Sequence, residues 1–369
     1  MKVAIISPSR TSEKAISTIS FNLVDALDKQ EVNADMIEYS AGSSLSFLKQ
    51  ISKIRKYDVV NLQHEYNLLG WYGLPFFLML PLMNLYNHKI TISMHTVLSQ
   101  KQKFEGGFLK NFLRKGLYSF QNFFIKVFSE KVIVNEDFLK RILVEEYGLD
   151  SEKVLVIPQP VVEKPKLLNK EKAKKELGIS GKMYLTIGNL TEDNGADIVI
   201  RQADKIGKTI MFVTNPAGVN TRNSKRVQNY IRLNKEIVSK RGFEDYVRFD
   251  LKKIPHELWW KYFSAADLVI QAYRGGIRSG VFSDAMVAKV PVVASNIPFF
   301  REMKSKYGSL KIAENEQDYP KRIKEALKPE EYSKLKKACE RYVEKNNLTS
   351  ISKKYKELFY KMNGPDKNQ

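Results

Sequence analysis

Leu268-Val-Ile-Gln-Ala-Tyr-Arg-Gly-Gly-Ile-Arg-Ser-Gly-Val-Phe-Ser-Asp-Ala-Met-Val-Ala-Lys-Val-Pro-Val-Val-Ala294 reads as a strand, a glycine-rich loop, a short helix and a second strand. Two short apolar runs joined by a helical pattern make a βαβ unit, which needs a right-handed crossover and a parallel sheet. The loop also carries chemistry. Its small residues let backbone approach a ligand, Ser279, Gly280 and Val281 open the helix with N–H groups, and Arg274 and Arg278 bring positive charge. Asp284 falls about one turn inside the helix, where a carboxylate can accept the two hydroxyls of a ribose. The plainer reading is a glycine turn followed by an acid that the helix dipole favours. Phosphate and ribose chemistry within one loop–helix unit, begun by Tyr273, favours a binding site.

The same alternation runs outward from this stretch. Apolar runs at 183–187, 209–213, 247–249 and 310–312 alternate with helical patterns such as 224–240 and 255–266. A second series fills the first half of the chain, at 3–6, 34–39, 58–62, 89–94, 131–134 and 154–157. Pro158-Gln-Pro160 interrupts it, and the lysine-rich residues that follow read as a linker. The expectation is an α/β chain with an N-terminal domain over 1–160, a linker over 161–178, a C-terminal domain over 179–335 and a helical segment over 336–369. Doubly wound sheets bind ligands outside the carboxyl ends of their strands, here in a cleft between two domains.

Composition narrows the function. The 369 residues are 43% hydrophobic and 11% aromatic, enough for two packed cores and too apolar for a disordered chain. One cysteine, Cys339, excludes a disulfide scaffold, and four histidines argue against a polyhistidine metal site. A net charge of +20 points to an anionic partner. The lysines are dispersed and no nucleic-acid module is recognisable, so no specific nucleic acid is expected. The apolar run at the N-terminus is too short for a secretory signal. Residues 66–87 are uncharged and long enough to span a bilayer, but prolines, glycines and flanking strand patterns favour a buried helix between parallel strands.

Four further constellations stand where apolar runs stop. Leu62-Gln-His-Glu-Tyr66 sets Gln63, His64 and Glu65 at a strand end, either toward a ligand or as caps of the next helix. Ser93-Met-His-Thr-Val97 places His95 at another strand end, where an imidazole suits a sugar hydroxyl or a backbone carbonyl. In Thr186-Ile-Gly-Asn-Leu-Thr-Glu-Asp-Asn-Gly195, Gly188 ends a strand and Gly195 precedes a helix start that favours phosphate. From Lys101 to Phe128, lysines and arginine alternate with phenylalanines, Phe104, Phe108 and Phe112 recurring every fourth residue. That composition suits an anionic membrane surface or a lipid-linked acceptor, and equally a stripe facing the core.

Together these residues resemble glycosyltransferase family four, and in particular a mannosyltransferase-like branch with a Gln-His-Glu-Tyr strand end. The resemblance covers nearly the whole chain. It rests on Gln63-His-Glu-Tyr66, Met94-His-Thr-Val97, Val154-Leu-Val-Ile-Pro158, Ala265-Ala-Asp-Leu-Val-Ile270, Ser279-Gly-Val-Phe-Ser-Asp-Ala285 and Val290-Pro-Val-Val-Ala-Ser295. It implies the GT-B fold, two Rossmann-like doubly wound domains facing across a cleft, with the C-terminal helix packing back on the N-terminal domain. It implies a retaining enzyme that moves a hexose, mannose or glucose, from a GDP- or UDP-linked donor to a glycan or lipid-linked acceptor, with no metal or other cofactor required. His95 and Arg278 are then the catalytic candidates. Gly188, Asn189, Asn194, Gly195, Tyr273, Ser279, Gly280, Val281 and Asp284 would hold the donor, and Arg10, Thr11, Gln63, His64 and Glu65 the acceptor. The expected location is cytoplasmic, peripheral on the cytoplasmic membrane face. The sequence departs from the family at several points. An arginine and a lysine usual after the first strand of the second domain are Asn189 and Asn194, and the first of two acids eight apart is Gly276. Arg10-Thr-Ser-Glu-Lys14 replaces a glycine-rich loop, and Gln159-Pro160 a His-Gly pair. Arg274, Arg278 or Lys225 could supply the lost charge. A catalytically impaired homologue serving as a binding or partner subunit is the alternative.

Overall fold

The computed structural model describes residues 1–10, 15–66, 68–70, 73–102, 107–161, 165–214, 221–252, 254–276 and 278–364. The chain forms two compact units, one of Met1–Pro160 with the residues from Asn346 onward, the other of Val161–Lys345.

In the first unit, β1 (Lys2–Pro8), β2 (Asn33–Tyr39), β3 (Val59–His64), β4 (Ile90–Met94), β5 (Lys131–Val134) and β6 (Val154–Val156) form a parallel sheet in the order β2-β1-β3-β4-β5-β6. The second unit holds β7 (Met183–Ile187), β8 (Thr209–Thr214), β9 (Val247–Leu251), β10 (Leu268–Gln271), β11 (Val292–Ser295) and β12 (Leu310–Ala313), parallel in the order β12-β11-β10-β7-β8-β9. All twelve expected strands are present. Their sequences are near-continuous apolar runs because helices cover the sheets and the strands are buried on both faces. The order reverses beside β1 in one sheet and beside β7 in the other. Side chains at the carboxyl ends of β1 and β3, and of β7 and β10, therefore flank the two switch points.

Strand β3 runs two residues further than its apolar pattern. Gln63 and His64 are its last members, paired in register with Ser93 and Met94 of β4, and both are buried. The uncharged stretch before β4 contains the Phe76–Tyr86 helix, with Phe76, Met79, Leu80 and Met83 buried. Among the described residues no helix is long and apolar enough to cross a membrane. The stretch expected as a linker holds a helix at Lys170–Glu176, whose Lys174 and Lys170 reach the Asp267 carboxylate at 2.8 and 3.0 Å. Asp267 stands just before β10 and also accepts the Met183 N–H, so it ties this lysine-rich segment to the sheet.

Toward the end of the chain, the Pro329–Asn346 helix lies within the second unit up to Lys345 and buries Leu335, Ala338 and Cys339 there. Asn347 then caps the Leu348–Asn363 helix, its side chain accepting the Ser350 N–H at 2.8 Å. Ile351, Leu358, Phe359 and Met362 of this last helix pack with Val3, Ile5, Leu23 and Leu27 in the core of the first unit.

Candidate functional site

At the switch point of the second sheet, the segment after β7 meets the segment after β10. Gly188 and Gly195 both have left-handed backbone, at φ +117° and +64°. A Cβ on Gly195 would lie 2.0 Å from the Ala272 carbonyl oxygen, so only glycine lets the two segments close up. A Cβ on Gly188 would stand 3.4 Å from Val281 Cγ2, which places the end of β7 against the first turn of the Gly280–Val287 helix. Ser279 caps that helix and accepts the Phe282 N–H at 3.1 Å and the Gln271 amide N–H at 2.9 Å. Its hydroxyl is also 3.2 Å from that of Tyr273, which Asn194 adjoins. The Ser279 side chain is thus occupied in holding the loop. The first-turn N–H groups of Gly280 and Val281 are of the kind that a helix leaves without internal acceptors and that suits an anion.

Asp284 faces a residue the sequence reading did not single out. The Trp259 indole N–H donates to its carboxylate at 3.0 Å. Burial raises its pKa to about 6, with the Trp259 hydrogen bond and nearby His256 pulling it partway back. The two loop arginines differ. Arg274 forms a two-pronged pair with Asp197 at 2.6 and 2.8 Å and donates to the Glu192 carbonyl at 2.6 Å. Asp197 also accepts a hydrogen bond from the Tyr230 hydroxyl and pairs with Arg201 at 2.7 Å, and Arg201 in turn holds Glu316. Burial alone would raise the Asp197 pKa. The hydrogen bonds from Arg274 and Tyr230, with the two guanidinium charges, outweigh it and bring the value down to about 2. Arg274 is therefore part of the scaffold that shapes the loop. Arg278 adjoins the cap, partly buried; Asn189 is exposed, and Lys225 is exposed near the start of the Thr221–Arg241 helix.

In the first unit the adjacent residues Gln63 and His64 point to opposite faces of β3, as strand alternation requires. Gln63 meets His95, its Oε1 lying 2.7 Å from Nε2. His64 packs against Phe76 and Tyr66, ring centroids at 4.7 and 5.6 Å. Burial, with the nearby His95 adding to it, lowers its pKa to about 3 and keeps it neutral. Of the residues expected around an acceptor, Glu65 is half-buried just beyond β3. Arg10 lays its guanidinium over the Phe21 ring at 4.6 Å, and Thr11 lies outside the described residues. The sequence reading missed the network behind Gln63: Gln63 meets Asn61, Asn61 meets Thr91 and Ser93, and Ser93 meets Tyr355. The signal was present as polar residues at every second position of otherwise apolar strands.

The basic aromatic stretch forms the Phe108–Phe128 helix, while Phe104 lies outside the described residues. Its apolar face turns to solvent: Phe108 is 87% and Phe112 65% exposed, and Leu109, Leu113, Phe120 and Phe123 share this exposure. Phe77 of the preceding helix touches Phe120 and Phe124, ring centroids at 4.7 and 5.2 Å. Leu74 joins Leu109, Leu113 and Leu117 around a concavity of about 600 Å³ rimmed by Lys110 and Arg114. Contiguous exposed apolar surface of this kind marks an interaction site.

No family model and no curated protein sequence matches the chain. Solved structures do. A glycosyltransferase from Rickettsia africae aligns over 100% of this chain and 99% of its own, with TM-score 0.68 and 16% identity. A sucrose-phosphate synthase from Thermosynechococcus elongatus aligns over 97% and 98%, with TM-score 0.72 and 15% identity. Anabaena HepE, solved in complex with UDP-glucose, aligns over 97% and 99%, with TM-score 0.68 and 14% identity. At these identities the likeness is one of fold. Both sheets belong to the GT-B architecture that the sequence motifs had implied.

Proposed function

We propose that the protein is a retaining glycosyltransferase that moves a hexose, mannose or glucose, from a GDP- or UDP-linked donor to a glycan or lipid-linked acceptor. The observation that carries this reading is the junction at the switch point of the second sheet. There the glycine-bearing end of β7 is seated against the first turn of the Gly280–Val287 helix, with Asp284 one turn further on. The N–H groups of that turn suit a diphosphate, and a buried carboxylate suits vicinal ribose hydroxyls. Support from outside the chain is the shared fold of HepE, which was solved with UDP-glucose.

In this reading the bond between the anomeric carbon and the diphosphate oxygen breaks while an acceptor hydroxyl oxygen bonds to that carbon from the same face. The hydroxyl proton passes to the departing phosphate oxygen. Charge builds on the diphosphate, and fixed N–H groups and a cation lower the barrier. We assign the cation to Arg278, which adjoins the Ser279 cap at the start of the Gly280–Val287 helix. His95 acts at the transferred sugar. The acceptor is assigned to the first unit, near Arg10, Gln63 and Glu65. His64, buried among aromatic rings, contributes to packing there. We further place the protein on the anionic cytoplasmic face of a membrane, docked through the exposed face of the Phe108–Phe128 helix and its cationic rim.

The test is a calorimetric panel of UDP, GDP, ADP and their sugar conjugates. The expected result is one nucleotide family stabilising the protein by about 2.7 kcal/mol at a hundred times its dissociation constant. Transfer should then yield a product that keeps the donor's anomeric configuration, and Arg278→Ala should abolish it. No binding by any nucleotide overturns the reading, and an inverted product overturns the retaining mechanism.

A further inference from the structure

Asn61 and Gln63 on β3, with Thr91, Ser93 and His95 on and just after β4, form a polar ladder on one face of two otherwise apolar strands. All but His95 are buried, and Tyr355 of the Leu348–Asn363 helix meets the ladder at Ser93. The hydrogen bonds follow from one fixed end. The Thr91 hydroxyl has a single proton, which goes to the Val60 carbonyl at 3.2 Å. Thr91 Oγ1 must therefore accept, and it does so from the Asn61 amide N–H at 2.7 Å. The other Asn61 N–H goes to Ser93 Oγ at 3.0 Å, and Ser93 lies 3.2 Å from the Tyr355 hydroxyl. With its amino group committed, Asn61 can offer Gln63 only its carbonyl oxygen, which accepts Gln63 Nε2–H at 2.5 Å. Gln63 is thereby left with an acceptor, Oε1, facing His95 Nε2 at 2.7 Å.

We propose that Gln63 is a positioning residue that holds the His95 ring proton on Nε2. The direction of the bonds from Thr91 to Gln63 is set by the carbonyl of Val60, on β3 beside Asn61. The last helix closes the same ladder through Tyr355. Burial raises the Tyr355 hydroxyl to about 12, so it stays protonated as a hydrogen-bonding group. The assignment of a tautomer follows from geometry alone, whereas its use in catalysis rests on the glycosyl-transfer reading of His95.

The test is nitrogen-15 NMR of the full-length protein labelled at histidine, with the His95 signals identified by comparison with His95→Gln. The expected spectrum shows a protonated Nε2 and an unprotonated Nδ1 in the neutral ring; the reverse, or an even mixture, overturns the proposal. Gln63→Leu should shift the ring away from the Nε2–H tautomer. An unchanged ratio in that variant means the ladder does not set the tautomer and also overturns it. Gln63→Glu keeps an acceptor toward the ring and adds a charge, so it should retain Nε2–H and move the acid limb of the kcat profile up by about one pH unit. A loss of melting temperature in either variant without these spectroscopic and pH effects reduces Gln63 to a packing role. Should the protein transfer no sugar at all, the NMR result still stands or falls by itself.

Discussion

Asp284 is a carboxylate whose surroundings decide when it carries charge. Its pKa of about 6 in the folded protein lies above the ordinary 3.8. Between those values the folded state binds more protons than the unfolded state, so stability falls as pH rises through that window. Asp284→Asn removes the dependence. The variant should melt close to the native protein near pH 4 and above it at pH 7–8, in scanning calorimetry across that range. Nucleotide affinity should fall in the native protein as pH drops through about 6, because only the carboxylate form accepts two hydroxyls, and the Asn variant should lack that limb. An affinity independent of pH in the native protein would separate Asp284 from the nucleotide. His95, Asp284 and the capping serine were legible as residue types at strand and helix ends. The role of Arg274 was not, because nothing within the loop shows that Asp197, in another element, engages it.

At the scale of elements, the Phe108–Phe128 helix was recognisable as amphipathic, but not which way it faced. Its inner side is Gln121, Asn122 and Ile125, a partly polar strip, and its aromatic side is exposed. Gln121 and Asn122 can be buried because partners await them. Gln121 donates to the Tyr66 carbonyl, and Asn122 exchanges hydrogen bonds with the Tyr66 hydroxyl. Those partners come from the segment after β3 and cannot be inferred from the helix alone. The double variant Phe108→Ser/Phe112→Ser should therefore leave the melting temperature nearly unchanged, since exposed side chains contribute about 0.5 kcal/mol or less. Its partition onto anionic vesicles should fall at least about tenfold. Lys110→Glu should cost about fivefold or more and steepen with lowered salt. Sedimentation with anionic and neutral vesicles measures both, and equal binding to neutral vesicles would exclude the cationic rim.

For the whole molecule, the last helix is the informative element. It follows the second unit in sequence and completes the core of the first. A chain ended at Lys345 should leave Val3, Ile5, Leu23 and Leu27 partly uncovered. Its first unit should lose cooperative unfolding while the nucleotide-dependent transition of the second persists, as read by calorimetry and limited proteolysis. Retention of both transitions would show that the helix is dispensable. The sequence by itself determined the twelve strands and their parallel pairing, because a strand buried on both faces has to be a continuous apolar run and a parallel partner has to be reached through a helix. It also showed that polar and glycine residues stand where those runs end. Only the tertiary structure decided that Arg274 is bound to a carboxylate, which aromatic face meets solvent and which side chain stands beside His95. Those outcomes depend on partners 77 residues apart, as Arg274 and Asp197 are, or 262 apart, as Ser93 and Tyr355 are. Hydrogen bonds and ion pairs act over a few ångströms in space, and no local pattern of residues records which distant side chain will arrive there.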